Sequence, residues 1–412
     1  MKNLTKISLA AFAVVFILSL FGLTAFAADR PVEEKLTDAN GILTVSHRGD
    51  TASFPQNSLE AVKSAEKIGA DLISVSVGET ADGVLVLCDT SVPLSQVCKT
   101  DKTSINELDF SALSGLSLYG IDKTVSDYKI PTLEDAVNTV DNSLLILDNA
   151  WSFRDDIYAL LKKLGKENRI LLRTDASSKE IAEWTKANPG LFVIGVYKAN
   201  IVFNAISHFE RLQENGQPLV QYQSKNYFNV SFGSFVTNRF SASGKTRAIA
   251  AMYSPDLCGQ RADSCVGWDE MIERGYSAIE TNCIASLVNY IKASQEARDG
   301  LSSLYQKAKS TDTALLSSVS AKNLQTALTK ADTVLQDGKS SLGETESAFS
   351  LLNESMKNLA FHASGDIQKG GLNITAGKIV AAILVGSVLL AGEIYVFKMH
   401  KPRRKKEKGK TH

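Results

Sequence analysis

"SHRGDTASFPQNSLEAVKSAEKIGADLISVSVGETADGVLVLCDT", residues 46–90, decides how the rest of the chain is read. It leaves a short apolar run, GILTVSH (41–47), crosses a turn rich in Gly, Asp and Pro, and enters a helical stretch near 58–68. Two more apolar runs follow, DLISVSV and VLVLCD, separated by a turn at Ala81-Asp82-Gly83. Strand, helix and strand in that order is one β–α repeat. Side chains alternate along a strand, so Ser74 and Ser76 share one face. The last run ends in Cys88-Asp89, at the kind of strand end where enzymes present reactive groups.

The repeat continues outward. SLLILDNA (143–150) precedes a helix near 153–164, RILLRT (169–174) a helix near 178–187, and LFVIGVY (191–197) follows. TRAIAAMY (246–253), a helix near 268–274 and SAIET (277–281) close the series, while 217–240 carries no clear pattern. Repeated units over 41–292 predict an α/β fold, a (β/α)8 TIM barrel, with a doubly wound open sheet as the competing architecture. In a barrel, chemistry sits at the C-terminal strand ends. Those ends offer His47-Arg48, Ser74 and Ser76, Cys88-Asp89, Asp148, Arg173 and Thr281-Asn282.

The 412 residues carry 45 basic and 45 acidic side chains, unevenly spread. Residues 398–412 hold eight Lys/Arg against one Glu, and residues 1–28 hold two lysines and no acid. The remaining 35 basic and 44 acidic residues give the body a balance of −9, which argues against a nucleic-acid binder. Residues 1–28 have the basic start, apolar centre and small-residue end (Ala25, Ala27, Ala28) of a secretory signal peptide; a retained N-terminal anchor is the alternative. IVAAILVGSVLLAGEIYVF (379–397) is apolar except for Glu393, and at about 1.5 Å per residue it spans a bilayer core as one transmembrane helix. The basic tail 398–412 then lies in the cytoplasm and the body outside, at a cell membrane, anchored by a single span. From 293 to 362 Pro and Trp vanish and helical spacing dominates, predicting a small all-α bundle interrupted at Gly300 and Gly338, joined to the span by a linker at 363–378.

Five cysteines in an exported chain invite disulfides. Cys258 and Cys265 would close a short ring, and Cys88 and Cys98 flank another loop. Spacing proves neither pairing, and a buried free thiol is the alternative.

The residues 46–90, with "IPTLEDAV", "ILDNA" and "WDEMIERGYSAIETNCIASLVNYI", resemble the glycerophosphodiester phosphodiesterase family: the HRG, P-x-N, GAD, T-x-DG and IPTLE follow its pattern in order and spacing. The resemblance implies metal-assisted cleavage of a phosphodiester, with two histidines as acid and base and a Glu-x-Asp pair plus a later carboxylate holding Ca²⁺ or Mg²⁺. Here that pattern is broken. The Glu-x-Asp pair falls on Ser74 and Ser76, the second His on Cys88, a common Glu on Gln56, and the Lys beyond Asp148 on Asn149 or Ala150. His47, Arg48, Asn57 and Asp148 remain. The expectation is a degenerate site with no cofactor. His47 and Arg48 are then the catalytic remnant, and Arg48, Asp148 and Arg173 the contacts to a glycerol-phosphate-like or cell-envelope ligand. Asp148 is a relic of the metal set or a hydrogen-bonded strand end. The alternative is an active phosphoric diester hydrolase of lipid metabolism, with Cys88 as partner to His47 and Ca or Mg if a conventional metal persists. Residues 320–359 resemble a FIVAR module of bacterial surface proteins, with a plain helical spacer as the alternative.

Overall fold

The computed structural model describes residue 36 and residues 41–198, 202–224, 233–241, 247–252, 263–337 and 340–361. The expected signal peptide, linker, transmembrane helix and basic tail lie outside these, as does Cys258. Among the described residues no helix is long and apolar enough to cross a membrane.

Among the described residues eleven strands form: β1 (Leu43–His47), β2 (Leu72–Glu79), β3 (Leu85–Leu87), β4 (Ser117–Tyr119), β5 (Val125–Lys129), β6 (Leu144–Asp148), β7 (Ile170–Thr174), β8 (Phe192–Tyr197), β9 (Leu219–Ser224), β10 (Arg247–Met252) and β11 (Ala278–Thr281). Eight of them pair in parallel in the order β1-β2-β6-β7-β8-β9-β10-β11, and β11 pairs back to β1. The ring is closed, so the fold is the barrel and the open sheet is excluded. β3 pairs antiparallel with the end of β2, and β4 with β5 makes a separate hairpin.

Period-two alternation divides the barrel interior into a floor and a mouth. Val45, Leu72, Ile146, Leu171, Ile194, Leu219 and Ala278 form the apolar floor. Two residues further along the same strands, facing the same way, stand His47, Ser74, Asp148, Arg173, Val196, Gln221 and Glu280. The alternate residues, such as Val75, Leu145, Leu172 and Val193, face outward into the main core shared with the helices. Each fully buried aliphatic side chain there is worth roughly 1.5–3 kcal/mol.

The alternation also explains the unassigned region. β9 reads LVQYQS: Val220 and Tyr222 pack outward in the core, whereas Gln221 lies on the inner face at the polar mouth. The strand alternates with period two, but its glutamines turn inward at the mouth, the reverse of the usual sense. The helices Val202–Glu214 and Ser234–Ser241 flank it.

Short motifs turn out to be fold determinants. Ser58 caps the helix Leu59–Ile68 by accepting from the Ala61 N–H, and Gly69 ends it at φ 103°. Thr132 and Asp135 form a capping box that starts the helix Leu133–Thr139. The carbonyl of Pro131 accepts from the Leu87 N–H at 2.9 Å, so IPTLE ties that helix to β3. In T-x-DG, Thr80 Oγ donates to Asp82 at 2.6 Å and accepts from the Val84 N–H at 3.0 Å.

Beyond the barrel, helices Ile284–Lys309, Ser318–Gln336 and Leu342–Lys357 share a core that includes Leu301, Leu324, Ala331, Val334, Ala348 and Leu352. The first of them runs unbroken through 292–293 and through Gly300, so Gly300 does not interrupt it. Its N-terminal half packs Ile284, Leu287 and Val288 into the barrel's core, while Leu301 belongs to the three-helix core. One rigid element thus serves both.

Cys88 and Cys98 are free, buried thiols, so the expected bridge between them is absent. Both sit in the apolar cluster under the 84–130 excursion with Val86, Leu94, Ile105 and Leu118. Cys98 Sγ donates to the Leu94 carbonyl at 3.7 Å. Cys265, also a free thiol, is exposed at the start of the helix Cys265–Glu273.

Candidate functional site

The barrel mouth opens into a cavity of about 330 Å³ lined mainly by polar side chains, among them His47, Arg48, Ser76, Asp89, Asp148, Trp151, Arg173, Lys198 and Gln221. A second cavity of about 240 Å³ meets it at His47 and is lined in part by Phe54, Leu118, Tyr119 and Ile121.

The HRG turn shapes one wall. Arg48 and Gly49 are both left-handed, at φ 59° and 83°. A Cβ on Gly49 would lie 2.7 Å from the Ala61 backbone, so only glycine lets the turn lie against that helix. Asn57, also left-handed, returns the loop: its N–H donates to the Arg48 carbonyl and its Oδ1 accepts from the Ser76 N–H at 2.9 Å. The Arg48 side chain is held by Gln56 Oε1 at 2.8 Å and by Asp89 Oδ2 at 2.8 Å.

The floor of the mouth is a charged network. Arg173 is buried, and all five of its N–H donors are engaged. Nε and Nη2 fork onto the two oxygens of Asp148. Nη1 and Nη2 fork onto Glu280 at 2.7 and 3.0 Å, and Nη1 also reaches Gln221 at 3.1 Å. Glu280 further accepts from Ser74 Oγ at 2.9 Å and meets His47 Nδ1 at 3.0 Å. Burial alone would push the Glu280 carboxyl up; the Arg173 charge, and then the His47 contact, overcome it and hold the group well below the usual carboxylate range.

Of the residues picked from the sequence, the structure gathers His47, Arg48, Ser74, Ser76, Asp148 and Arg173 at this mouth. Cys88, expected as the partner of His47, is placed elsewhere. Cys88 does not line the cavity. Along the strand it follows Val86 by two residues, so it shares that residue's face and enters the outlying apolar cluster, while Asp89, on the opposite face, meets the site. Burial, with smaller effects from Cys98 and Asp89, pushes its thiol up to about 12. A buried, protonated thiol facing away cannot partner His47. Arg173, read as a ligand contact, has its donors spent within the protein. Glu280 and Gln221 were missed. A lone carboxylate inside the apolar run SAIET was the available signal for Glu280, whereas Gln221 lay in the stretch without a pattern.

The divalent cation implied by the sequence resemblance does not fit these side chains. A hard cation wants several charged oxygens. Asp148 and Glu280 already bind Arg173, Asp89 binds Arg48, and Ser74 and Ser76 are neutral. Among the described residues no group of three or more His, Cys, Asp or Glu is arranged to hold a metal.

Residues 47–202 match the glycerophosphoryl diester phosphodiesterase family model. Glycerophosphodiester phosphodiesterase 1 of Bos taurus is 30% identical over 135 residues, which is 30% of this chain and 40% of that protein. Uncharacterized protein YqiK of Bacillus subtilis is 28% identical over 140 residues, 31% of this chain and 56% of that protein. The chain thus spans about half the length of the curated relatives it matches. Among solved structures, a glycerophosphoryl diester phosphodiesterase from Parabacteroides distasonis superposes with a TM-score of 0.51 at 16% identity, covering 63% of this chain and 91% of that one. At that identity the likeness concerns the fold.

Proposed function

We propose, on the premise that residues 47–202 form a domain of the glycerophosphoryl diester phosphodiesterase family, that this protein is a non-catalytic binding or scaffolding protein whose barrel mouth receives a polyol-phosphate or lipid-headgroup ligand. The observation that carries this reading is the position of Cys88. With its side chain turned into an apolar cluster, the cavity holds one imidazole, that of His47, among the described residues. Cleavage of a phosphodiester needs an acid for the leaving oxygen and a base for the attacking one. Asp89 and Asp148 of the lining are already engaged by Arg48 and Arg173, and Asp175 pairs with Lys198 at the exposed rim. The same lining suits binding: Ser76, Ser91, Thr174 and Gln221 offer hydroxyl and amide partners for a polyol, and Arg48 and Lys198 face its phosphate.

In this proposal the barrel stands outside a bacterial cell, the helices after it form a FIVAR-like spacer, and residues 379–397 span the membrane with the basic tail inside. The charge distribution and the apolar run support that arrangement.

The purified protein should hydrolyse glycerophosphodiesters no faster than its His47→Ala variant, with Ca²⁺, Mg²⁺ or Mn²⁺ present. Glycerol phosphate should stabilise the folded protein by mass action, by about 2.7 kcal/mol at a hundred times Kd, seen as a raised thermal midpoint, and Arg48→Ala should lose most of that rise. Metal-dependent turnover abolished by His47→Ala would overturn the non-enzyme reading.

A further inference from the structure

We infer that the Arg173 guanidinium has taken over the electrostatic place of a divalent cation at the barrel mouth, and that its presence is what keeps such a cation out. Two carboxylates, Asp148 on β6 and Glu280 on β11, converge from separate strands onto one buried point. Like charges so placed need a cation between them. Arg173 supplies it with one fork on each carboxylate, using a planar group whose donors match carboxylate geometry. Its fifth donor bond goes to Gln221, so the guanidinium is held from three sides.

This assignment explains the two serines. A guanidinium carries one positive charge where a metal ion carries two. Two more carboxylates at 74 and 76 would leave the buried group with excess negative charge. Ser74 instead donates a hydrogen bond to Glu280 at 2.9 Å, adding a partial positive charge to a carboxylate already shared with Arg173 and His47. The neutral serines and the buried arginine are therefore one compensated change. An incoming cation would have to displace a buried guanidinium, whose own charge would be left without its two partners. The inference concerns the floor of the pocket and holds whether or not a polyol phosphate binds above it.

The test uses the full chain in detergent at neutral pH, with thermal midpoint and calorimetry read in chelator and in millimolar Ca²⁺, Mg²⁺ or Mn²⁺. The parent should show no cation response. Arg173→Met should melt lower in chelator and recover at least half of the loss, saturably, when the cation is added. Arg173→Gln, which keeps an amide donor toward the carboxylates, should lose less stability and show the same dependence. Adding Asp148→Asn to either variant should abolish it. A cation response in the parent matching that of the variants would overturn the inference. So would insensitivity of both variants, or failure of both to fold even with cation present, since the ion would then be no substitute for the guanidinium.

Discussion

Glu280→Gln removes one negative charge from the middle of the network while keeping the shape of the side chain. The carboxylate is 4% exposed and receives four contacts on two oxygens: His47 at 3.0 Å, Ser74 at 2.9 Å, and Arg173 at 2.7 and 3.0 Å. Glutamine has one acceptor oxygen. Placed where Oε1 stands, it keeps three of these contacts, but its NH2 then faces the Arg173 Nη1 donor. One charge-assisted hydrogen bond to a buried group is lost, worth about 1.5–3 kcal/mol. Stripping a buried charge of every partner costs about 3–5 kcal/mol, but Asp148 still neutralises Arg173, so the lower part of the combined range applies: about 2–3 kcal/mol. For a domain of this size that lowers the thermal midpoint by roughly 4–12 °C, measurable by circular dichroism or calorimetry. A pH series gives a second readout. The folded Glu280 carboxyl is held below its ordinary value, so its contribution is fully present above the ordinary glutamate range and is lost as pH falls through the folded value. The stability gap between parent and variant should therefore be constant near neutrality and shrink in acid. A loss below about 1 kcal/mol, the size of an exposed ion pair, or a gap that does not narrow in acid, would refute the reasoning.

Other changes separate fold motifs from site residues. Gly49→Ala meets the Ala61 backbone at 2.7 Å in a left-handed conformation, and should destabilise by about 1–3 kcal/mol, read by urea unfolding. Thr132→Ala loses a capping box and should cost about 1 kcal/mol with ligand affinity unchanged. In the native protein Cys265, being exposed, should react with a thiol reagent, while Cys88, with its thiol pushed up to about 12, should react only after unfolding; early labelling of Cys88 would contradict its placement. Cys88→Ala should leave glycerol phosphate binding unchanged, because that side chain does not line the cavity.

The β–α repeat is legible along the chain and narrows the fold to a barrel or an open parallel sheet; the pairing of β11 with β1 decides for the barrel. The alternation of apolar runs with helical stretches and the order HRG, P-x-N, GAD, T-x-DG, IPTLE leave little freedom, because a parallel strand must be followed by a crossover and each short motif fixes a turn or a cap. The chain also shows that Ser74 and Ser76 share one face, since period two is a local property of a strand; that this face is the mouth follows from the closed ring. The same rule puts Val86 and Cys88 on one face, and the packing of the 84–130 excursion makes that face the one turned from the site. Tertiary structure alone decided the partners. Asp148 and Glu280 are separated by 132 residues, and no local pattern says that β6 and β11 aim their carboxylates at one arginine on β7. β9 escaped notice for a related reason. Val220 and Tyr222 alternate with Gln221 and Gln223 as in any strand, but Gln221 turns inward to meet that network, and only the closed barrel shows that the polar face is a buried one.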